Sequence, residues 1–385
     1  MDSPCLFAPS VFLAGDTYQI TVRLRRQGLL YVRVGDQLYA DHNNGVVRSD
    51  GLVRKVIIPQ SVLDTAGCYR IRFVPLGERE PYFPKVGKPE EEEYEFLPVP
   101  EVSEEHPVKI YMLADTHGRV NVPAKTAGYF GGKPDLLILC GDIADQAQDQ
   151  AHIDRLFALS AAVVQGTRPV IFARGNHDTR GNMAEKLTEM IGTENGNTFF
   201  TFRAGNLWGV VLDCGEDKSD GNPEYGGENG IAFYHGFREE QTRFLGKIIE
   251  THPFEDPGIQ YRVCICHLPF THTMGTRGGI FDIERENHAE WTALLNRIGI
   301  QVLLSGHMHK AYHILPGENR DEYGQQFVTV VGSEVNLKTP EEEMSYTGTA
   351  VLLTDTGIHL CLTDEKRQSR EWLLIDRENP YGKRE

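Results

Sequence analysis

The chain has no run of the roughly eighteen apolar residues that a membrane-spanning helix needs. Its first residues, Met-Asp-Ser-Pro-Cys-Leu-Phe-Ala, lack a basic stretch leading into an apolar core, so no signal peptide is read. Cysteine is scarce: seven in 385 residues, an odd count with no disulfide spacing. Reduced thiols without a leader point to the cytoplasm, or to secretion if a leader has been removed. Cys264 and Cys266, which alternate along an apolar strand, read as buried thiols. Positive charge is also short. With 39 Lys and Arg against 55 Asp and Glu, the net charge is −16. That argues against a docking surface for long nucleic acids, which shows a basic stripe. A small phosphorylated substrate stays open, because bound cations reverse a local field. No repeat or low-complexity tract appears, and the oligomeric state is not legible.

The length, 385 residues, exceeds a typical single core and predicts two domains. Residues 1–98 read as short strands without a long helix. Tyr18, Ile20, Val22 and Leu24 alternate with polar residues, and Gly35-Asp36 and Asn44-Gly45 mark turns. A small all-β sandwich is expected there. A linker follows at 99–107, after a proline-rich stretch that flanks the acidic run Glu90–Glu93, itself an edge segment or solvated face. Residues 108–376 carry an α/β rhythm. Val108–Ala114, Leu136–Cys140, Val170–Ala173, Tyr261–Cys266 and Val302–Ser305 are short apolar runs of buried strands. Helical patterns fall at Ala151–Val164, Ala184–Ile191, Glu239–Ile249 and Asn287–Ile298. Further strand patterns fall at Phe327–Val331, Ala350–Leu353, Ile358–Leu362 and Trp372–Ile375. A polar tail, 377–385, is expected to fray.

Five short motifs follow the five apolar runs. They are Asp115-Thr116-His117, Gly141-Asp142-Ile143-Ala144-Asp145, Gly175-Asn176-His177-Asp178, Cys266-His267-Leu268-Pro269 and Gly306-His307-Met308-His309. Each begins where a strand ends, the edge at which α/β sheets assemble ligand sites. Asp115 and His117, and likewise His307 and His309, are two apart. In extended backbone such pairs point to one side, so each pair can grip a metal. The donors are nitrogen and oxygen without thiolate, which suits zinc, manganese or iron and not a structural zinc–sulfur site. A lone His or Asp at a strand end is ordinarily a cap or a solvent-facing residue. That reading must fail five times in order to explain this chain. His42, His106, His152, His252, His288, His313 and His359 sit in no motif and are read as surface or core.

Two metals about 3.5–4 Å apart acidify a shared water and clamp phosphoryl oxygens during in-line attack by a bridging hydroxide. Asp142 is the expected bridging carboxylate. His177 is the expected general acid, with Asp178 beside it to hold the ring or raise its pKa. Gly141, Gly175 and Gly306 permit a sharp turn or a close approach just before a ligand.

At these residues the chain closely resembles the calcineurin-like metallophosphoesterases, whose pattern is D-x-H, G-D-x-x-D, G-N-H-D/E, a lone H, and G-H-x-H. The likeness runs from about Val108 to Leu362. It implies an α/β sandwich of two mixed sheets flanked by helices, and a phosphoric ester hydrolase. It implies one metal on Asp115, His117, Asp142 and His309, and a second on Asp142, Asn176, His267 and His307. His177 would face the substrate. The stretch Leu212–Asp217 and a helix start at Gln241–Leu245 also look like this family. The order of an all-β front region and a metal domain is similar to the purple acid phosphatases, whose front module resembles a fibronectin type III domain. Those enzymes carry a tyrosine ligand three residues after the bridging aspartate. Here that residue is Asp145, which argues against a tyrosinate–iron site and reads instead as a carboxylate orienting a ligand histidine. Arg180 and His272 are candidate substrate contacts. Glycine-rich 221–230 and 275–279 are candidate loops over the site, the first carrying Tyr225 and reaching His235. The substrate is expected to be a small phosphate mono- or diester. A nuclease or cyclic-nucleotide phosphodiesterase is the alternative within the class, and a silent protein-binding scaffold the alternative outside it. The scaffold should have lost ligands, and none is missing.

Overall fold

The computed structural model describes residues 3–227, 230–271 and 285–377. His272 and the loop at 275–279 lie outside the described residues, as does the tail beyond Arg377. Two sheets face each other. The larger has ten strands, in the order Ser369–Asp376, Gly357–Asp364, Tyr346–Leu353, Val108–Leu113, Leu136–Cys140, Pro169–Ala173, Ser10–Ala14, Thr17–Arg23 and Val53–Pro59, with Glu334–Val335 paired to Tyr346–Leu353. The smaller has six, in the order Phe200–Ala204, Leu207–Val211, Tyr261–Ile265, Val302–Ser305, Val328–Val331 and Tyr312–Ile314. Each has a parallel centre with antiparallel edges.

The parallel strands are unbroken apolar runs because both of their faces are covered. Leu136–Cys140 and Pro169–Ala173 are buried at every residue. One buried cluster fills the space between the sheets and joins Ile110, Ile138 and Ile171 to Phe202, Val263 and Leu304. A second lies under the helices Asn121–Ala127 and Gln150–Val164 on the outer face of the larger sheet. A third lies under Tyr234–Thr251 and Arg285–Ile298 on the smaller sheet. These last two helices are tied together where Trp291 Nε1 donates to Thr242 Oγ1 at 2.9 Å. The helix Gln150–Val164 starts at Asp149, whose carboxylate accepts the His152 amide at 3.1 Å and satisfies an otherwise orphan donor.

Three details depart from the sequence pattern. The stretch Ala184–Ile191 forms a 3₁₀ turn over Ala184–Glu189, pinned by buried Leu187, Met190 and Ile191. The helix expected at Glu239–Ile249 begins earlier, at Tyr234, so Gln241 lies mid-helix, not at a helix start. The hairpin Phe200–Ala204 and Leu207–Val211 adds two strands that the ligand motifs do not announce.

Residues up to 98 are all-β apart from the short helix Gln60–Ala66. Four strands, Gln37–Ala40, Gly28–Val34, Cys68–Pro75 and Glu90–Glu95, make a separate sheet. The acidic run is its edge strand, where Arg70 meets Glu93 at 2.6 Å. The remaining long strands extend the larger sheet: Ser10–Ala14 pairs in parallel with Pro169–Ala173 through Val11 and Phe12. Hydrogen bonding therefore crosses the boundary drawn at 98–108. No helix among the described residues is long and apolar enough to cross a membrane.

Candidate metal centre

Val108–Leu113 leads to Asp115 and His117, Leu136–Cys140 to Asp142, and Pro169–Ala173 to Asn176 and His177. Tyr261–Ile265 leads to His267, and Val302–Ser305 to His307 and His309. All five are parallel strands ending on one edge of the sandwich. Their ligand atoms gather into three sets, each within 4.8 Å: Asp115, His117 and His309; Asp142, His267 and His307; and His117, Asp142 and His177.

The i, i+2 pairs converge for a different reason from the one expected. Asp115, His117, Asp142, His307 and His309 are not extended; all have positive φ, between 44° and 71°. Left-handed backbone at a non-glycine residue costs about 1–3 kcal/mol and persists only where its surroundings impose it. The surroundings here are loop-to-loop bonds. The Asp115, His117 and Gly118 amides donate to the carbonyls of Gly141, Asp142 and Ile143 at 3.1, 2.9 and 2.8 Å, and the Gly306 amide to the His267 carbonyl at 2.9 Å. The glycines serve close approach. A Cβ on Gly175 would sit 2.3 Å from Asp142 Oδ1, and one on Gly141 2.5 Å from His267 Nδ1.

Asp142 lies between the two halves. Its Oδ1 accepts the His177 amide at 2.9 Å. Its Oδ2 is 3.2 Å from His267 Nε2 and 4.0 Å from His117 Nε2. Asp115 Oδ1 is 3.5 Å from His309 Nε2, and the Asp115 carboxylate takes the His307 amide at 2.9 Å and the Ser333 hydroxyl.

The outer ring nitrogens are held so that lone pairs face inward. His267 Nδ1 donates to the Cys140 carbonyl at 2.7 Å. His117 Nδ1 is 3.2 Å from Asp145 Oδ1, the orienting role expected of that carboxylate. His307 Nε2 is 3.4 Å from Asp217 Oδ2, so its Nδ1 points inward. The imidazoles also crowd one another. His117 Nε2 and His309 Nε2 are 3.1 Å apart. One end of the Asn176 amide lies 2.9 Å from His307 Nδ1, 3.2 Å from Asp142 Oδ2 and 3.3 Å from His267 Nε2. With its nitrogen at that end the amide donates into the gap and its oxygen accepts from Arg180 Nη2 at 3.2 Å; with its oxygen there it offers a lone pair to a cation. Converging nitrogen and oxygen lone pairs fit cations of the zinc, manganese or iron kind.

The electrostatics agree. Burial opposes a charge on His267, but Asp142 and then Asp115 outweigh it and hold the metal-free ring protonated well above its usual range. Burial likewise opposes the Asp142 carboxylate, yet His267, His177 and His117 keep it well below the usual range.

Asp178 does not hold the His177 ring. Its Oδ2 accepts the amides of Gly175 at 2.9 Å and Asp142 at 3.0 Å, and so braces the two loops. The His177 ring is held instead by the Asp145 carbonyl, which accepts from Nδ1 at 2.8 Å. Arg180 stands at the site, with Nη1 3.4 Å from His177 Nε2. Its guanidinium forks onto buried Glu216, with Nη2 to Oε2 at 2.8 Å. Tyr225 is buried, while the His235 ring is mostly exposed and 3.4 Å from Glu239.

Ser333 and the role of Asp217 were not read from the sequence. The available signals were a Gly-Ser step after the run ending at Val331 and an acidic pair closing the Leu212–Asp217 stretch. Asp217 is fixed from behind, because the helix Tyr234–Thr251 grips its loop. Arg238 donates to the carbonyls of Cys214 and Glu216 at 2.9 and 2.8 Å, and Gln241 to that of Asp213 at 2.6 Å.

The fold has known counterparts. A purple acid phosphatase from seeds of yellow lupin (Lupinus luteus) superimposes with a TM-score of 0.58 at 12% identity, over 96% of this chain and 74% of that one. PhoD superimposes with a TM-score of 0.52 at 11% identity, over 98% of this chain and 92% of that one. Among curated proteins none matches by sequence. The family profile described as calcineurin-like phosphoesterase matches residues 108–311, which include all five motifs. The chain therefore belongs to the calcineurin-like phosphoesterases and is a metal-dependent hydrolase of phosphoric esters.

Proposed function

We propose that this enzyme holds two cations and hydrolyses small phosphate mono- or diesters by in-line displacement. One cation would take Asp115, His117, Asp142 and His309, the other Asp142, Asn176, His267 and His307. The observation that carries this reading is Asp142 Oδ2 lying within 4.0 Å of an inward-facing histidine nitrogen from each set. Bound there, a metal pair supplies Lewis acidity and an acidified water. The chain's own residues do the rest. Asp145, Asp217 and the Cys140 carbonyl aim three imidazoles. His177, partly exposed and outside both ligand sets, donates a proton from Nε2 to the departing oxygen. Arg180, preoriented by Glu216, pairs with a phosphate oxygen as the ester settles. We place the enzyme in a reducing compartment, consistent with seven unbridged cysteines. The direct test is a panel of manganese-, zinc- and iron-loaded protein against phosphomonoesters, cyclic nucleotides and bis-aryl phosphodiesters, alongside elemental analysis. About two metals per chain and turnover on one ester class are expected; at most one metal per chain would refute the pair.

Chelation is expected to lower the Tm, since cations bind the folded state and not the unfolded chain. The pH dependence has a definite sign. In the metal-free protein His267 has its folded pKa raised above the ordinary 6.5, so its contribution is fully present below about pH 6.5 and fades as the pH rises through the folded value. Cations compete with that same proton and bind better as the pH rises. The drop in Tm on chelation should therefore be larger at alkaline than at mildly acidic pH. A scanning-fluorimetry series with and without chelator checks this; a constant or opposite trend would contradict the assignment of His267.

Asp217→Asn keeps the shape of the side chain that orients His307 and removes its charge. A 10- to 100-fold weaker affinity for one cation is expected, about the usual cost of losing such a partner. Stepwise metal titration by calorimetry would show it, and an unchanged isotherm would remove Asp217 from that role.

A further inference from the structure

The sulfurs of Cys214 and Cys266 lie 3.4 Å apart in the core under the outer helices, and both residues are fully buried. The proposed chemistry uses neither, but both stand next to residues that it does use. Cys266 directly precedes His267, and its amide is bound to the Leu304 carbonyl at 3.0 Å. Cys214 opens the short segment that ends in Glu216 and Asp217, which hold Arg180 and His307. The two thiols thus sit at the roots of two segments that serve the same half of the centre.

We propose that Cys214 and Cys266 form a redox-sensitive pair that closes to a disulfide under hydrogen peroxide and, by drawing these roots together, displaces His267 and the Asp217–His307 pair. The coupling to the centre rests on reading His267 and His307 as ligands. The step balances. One sulfur breaks the peroxide O–O bond and becomes a sulfenic acid, and one water leaves. The other sulfur displaces the sulfenic oxygen as a second water, and the S–S bond forms. Two thiols lose two electrons and two protons, and one peroxide becomes two waters. A disulfide is about 2.05 Å long, so the sulfurs must close by more than about 1 Å. A close-packed core cannot absorb that at the side chains alone, and the backbone must follow. Metal ligands tolerate errors of only about 0.2 Å, so the second cation loses its seat. Burial bars bulky thiol reagents and selects an oxidant little larger than water.

The test uses the metal-loaded full chain treated with hydrogen peroxide, read by intact mass, tryptic mapping, metal content and turnover of p-nitrophenyl phosphate. The expected result has three parts: loss of two hydrogens, one peptide pair joining Cys214 to Cys266, and release of one cation with at least about a thousandfold loss of turnover in the linked molecules. Dithiothreitol followed by fresh metal should restore turnover. Cys214→Ala should keep its basal turnover, form no cross-link and resist peroxide; Cys266→Ser serves the same purpose if the first variant fails to fold. A link between other cysteines, or oxygen addition without a link, overturns the proposal. So does equal inactivation of the variant, which would place the damage at the metals, and so does a Cys214–Cys266 link that leaves turnover and metal content unchanged. Mass scores the link independently of activity, so failure of the two-metal reading and failure of the cysteine pair remain distinguishable.

Discussion

Asp142→Asn is expected to leave the protein with one cation or none and to lower kcat/KM on any phosphate ester at least about a thousandfold. The substitution is nearly isosteric. It preserves an acceptor for the His177 amide, now 2.9 Å from Oδ1, and so should spare the loop. What it removes is the charge on the oxygen that lies 3.2 Å from His267 and 4.0 Å from His117. Asp115 Oδ1 also lies near a histidine of each set, 3.5 Å from His309 Nε2 and 3.8 Å from His267 Nε2, but its carboxylate is already engaged by the His307 amide and the Ser333 hydroxyl. Asp178→Asn is the matched control. Asp178 is as deeply buried, but its oxygen braces backbone amides, and its carboxyl is pushed up to about 7 by burial first and by the Asp142 charge second. An amide oxygen can accept the same bonds, and the expected loss is under about tenfold. Elemental analysis and steady-state kinetics on the two variants decide the point. Two metals and near-normal turnover in Asp142→Asn would end the bridging assignment.

His177→Ala is expected to reduce turnover of alkyl phosphates by about 10²–10⁴-fold and that of p-nitrophenyl esters far less. An alkoxide must be protonated as it departs, whereas p-nitrophenolate leaves unaided. The ring is well placed for selectivity of this kind. It stacks edge-on against His117 with centroids 4.7 Å apart, and the Asp145 carbonyl fixes its Nδ1 and turns Nε2 toward Arg180. Arg180 stands 3.4 Å away and would sense the same ester. Metal content should stay at its original level, because His177 belongs to neither proposed ligand set. Equal losses on both kinds of ester would remove the acid role, and loss of a metal would make His177 a ligand.

Asp115, His117, Asp142, Asn176, His267, His307 and His309 were legible because each closes a short apolar run. A strand buried on both faces must be apolar, and a polar group is admitted only where the strand ends. Asp145 was legible for a narrower reason: it occupies the position of a tyrosine ligand in a related pattern and cannot act as one. The i, i+2 pairs converge, but not through extended backbone. Left-handed backbone at five candidate ligands, all of them Asp or His, is held at Asp115, His117 and Asp142 by amide–carbonyl bonds between loops and at His307 by the Asp115 carboxylate, partners that lie far away in the chain. The link between Asp178 and the His177 ring failed likewise, since adjacency in sequence does not determine which way a buried carboxylate turns.

The sequence alone determined the reaction class and the strand ends that carry the candidate donors, because period, burial and side-chain chemistry are written residue by residue. Only the tertiary structure decided that Asp217 orients His307, that Cys214 meets Cys266, and that Ser10–Ala14 extends the catalytic sheet. Those pairings join segments distant along the chain. Strand hydrogen bonds are made by backbone groups common to every residue, so the partner is selected by how whole faces pack and not by a motif in either segment.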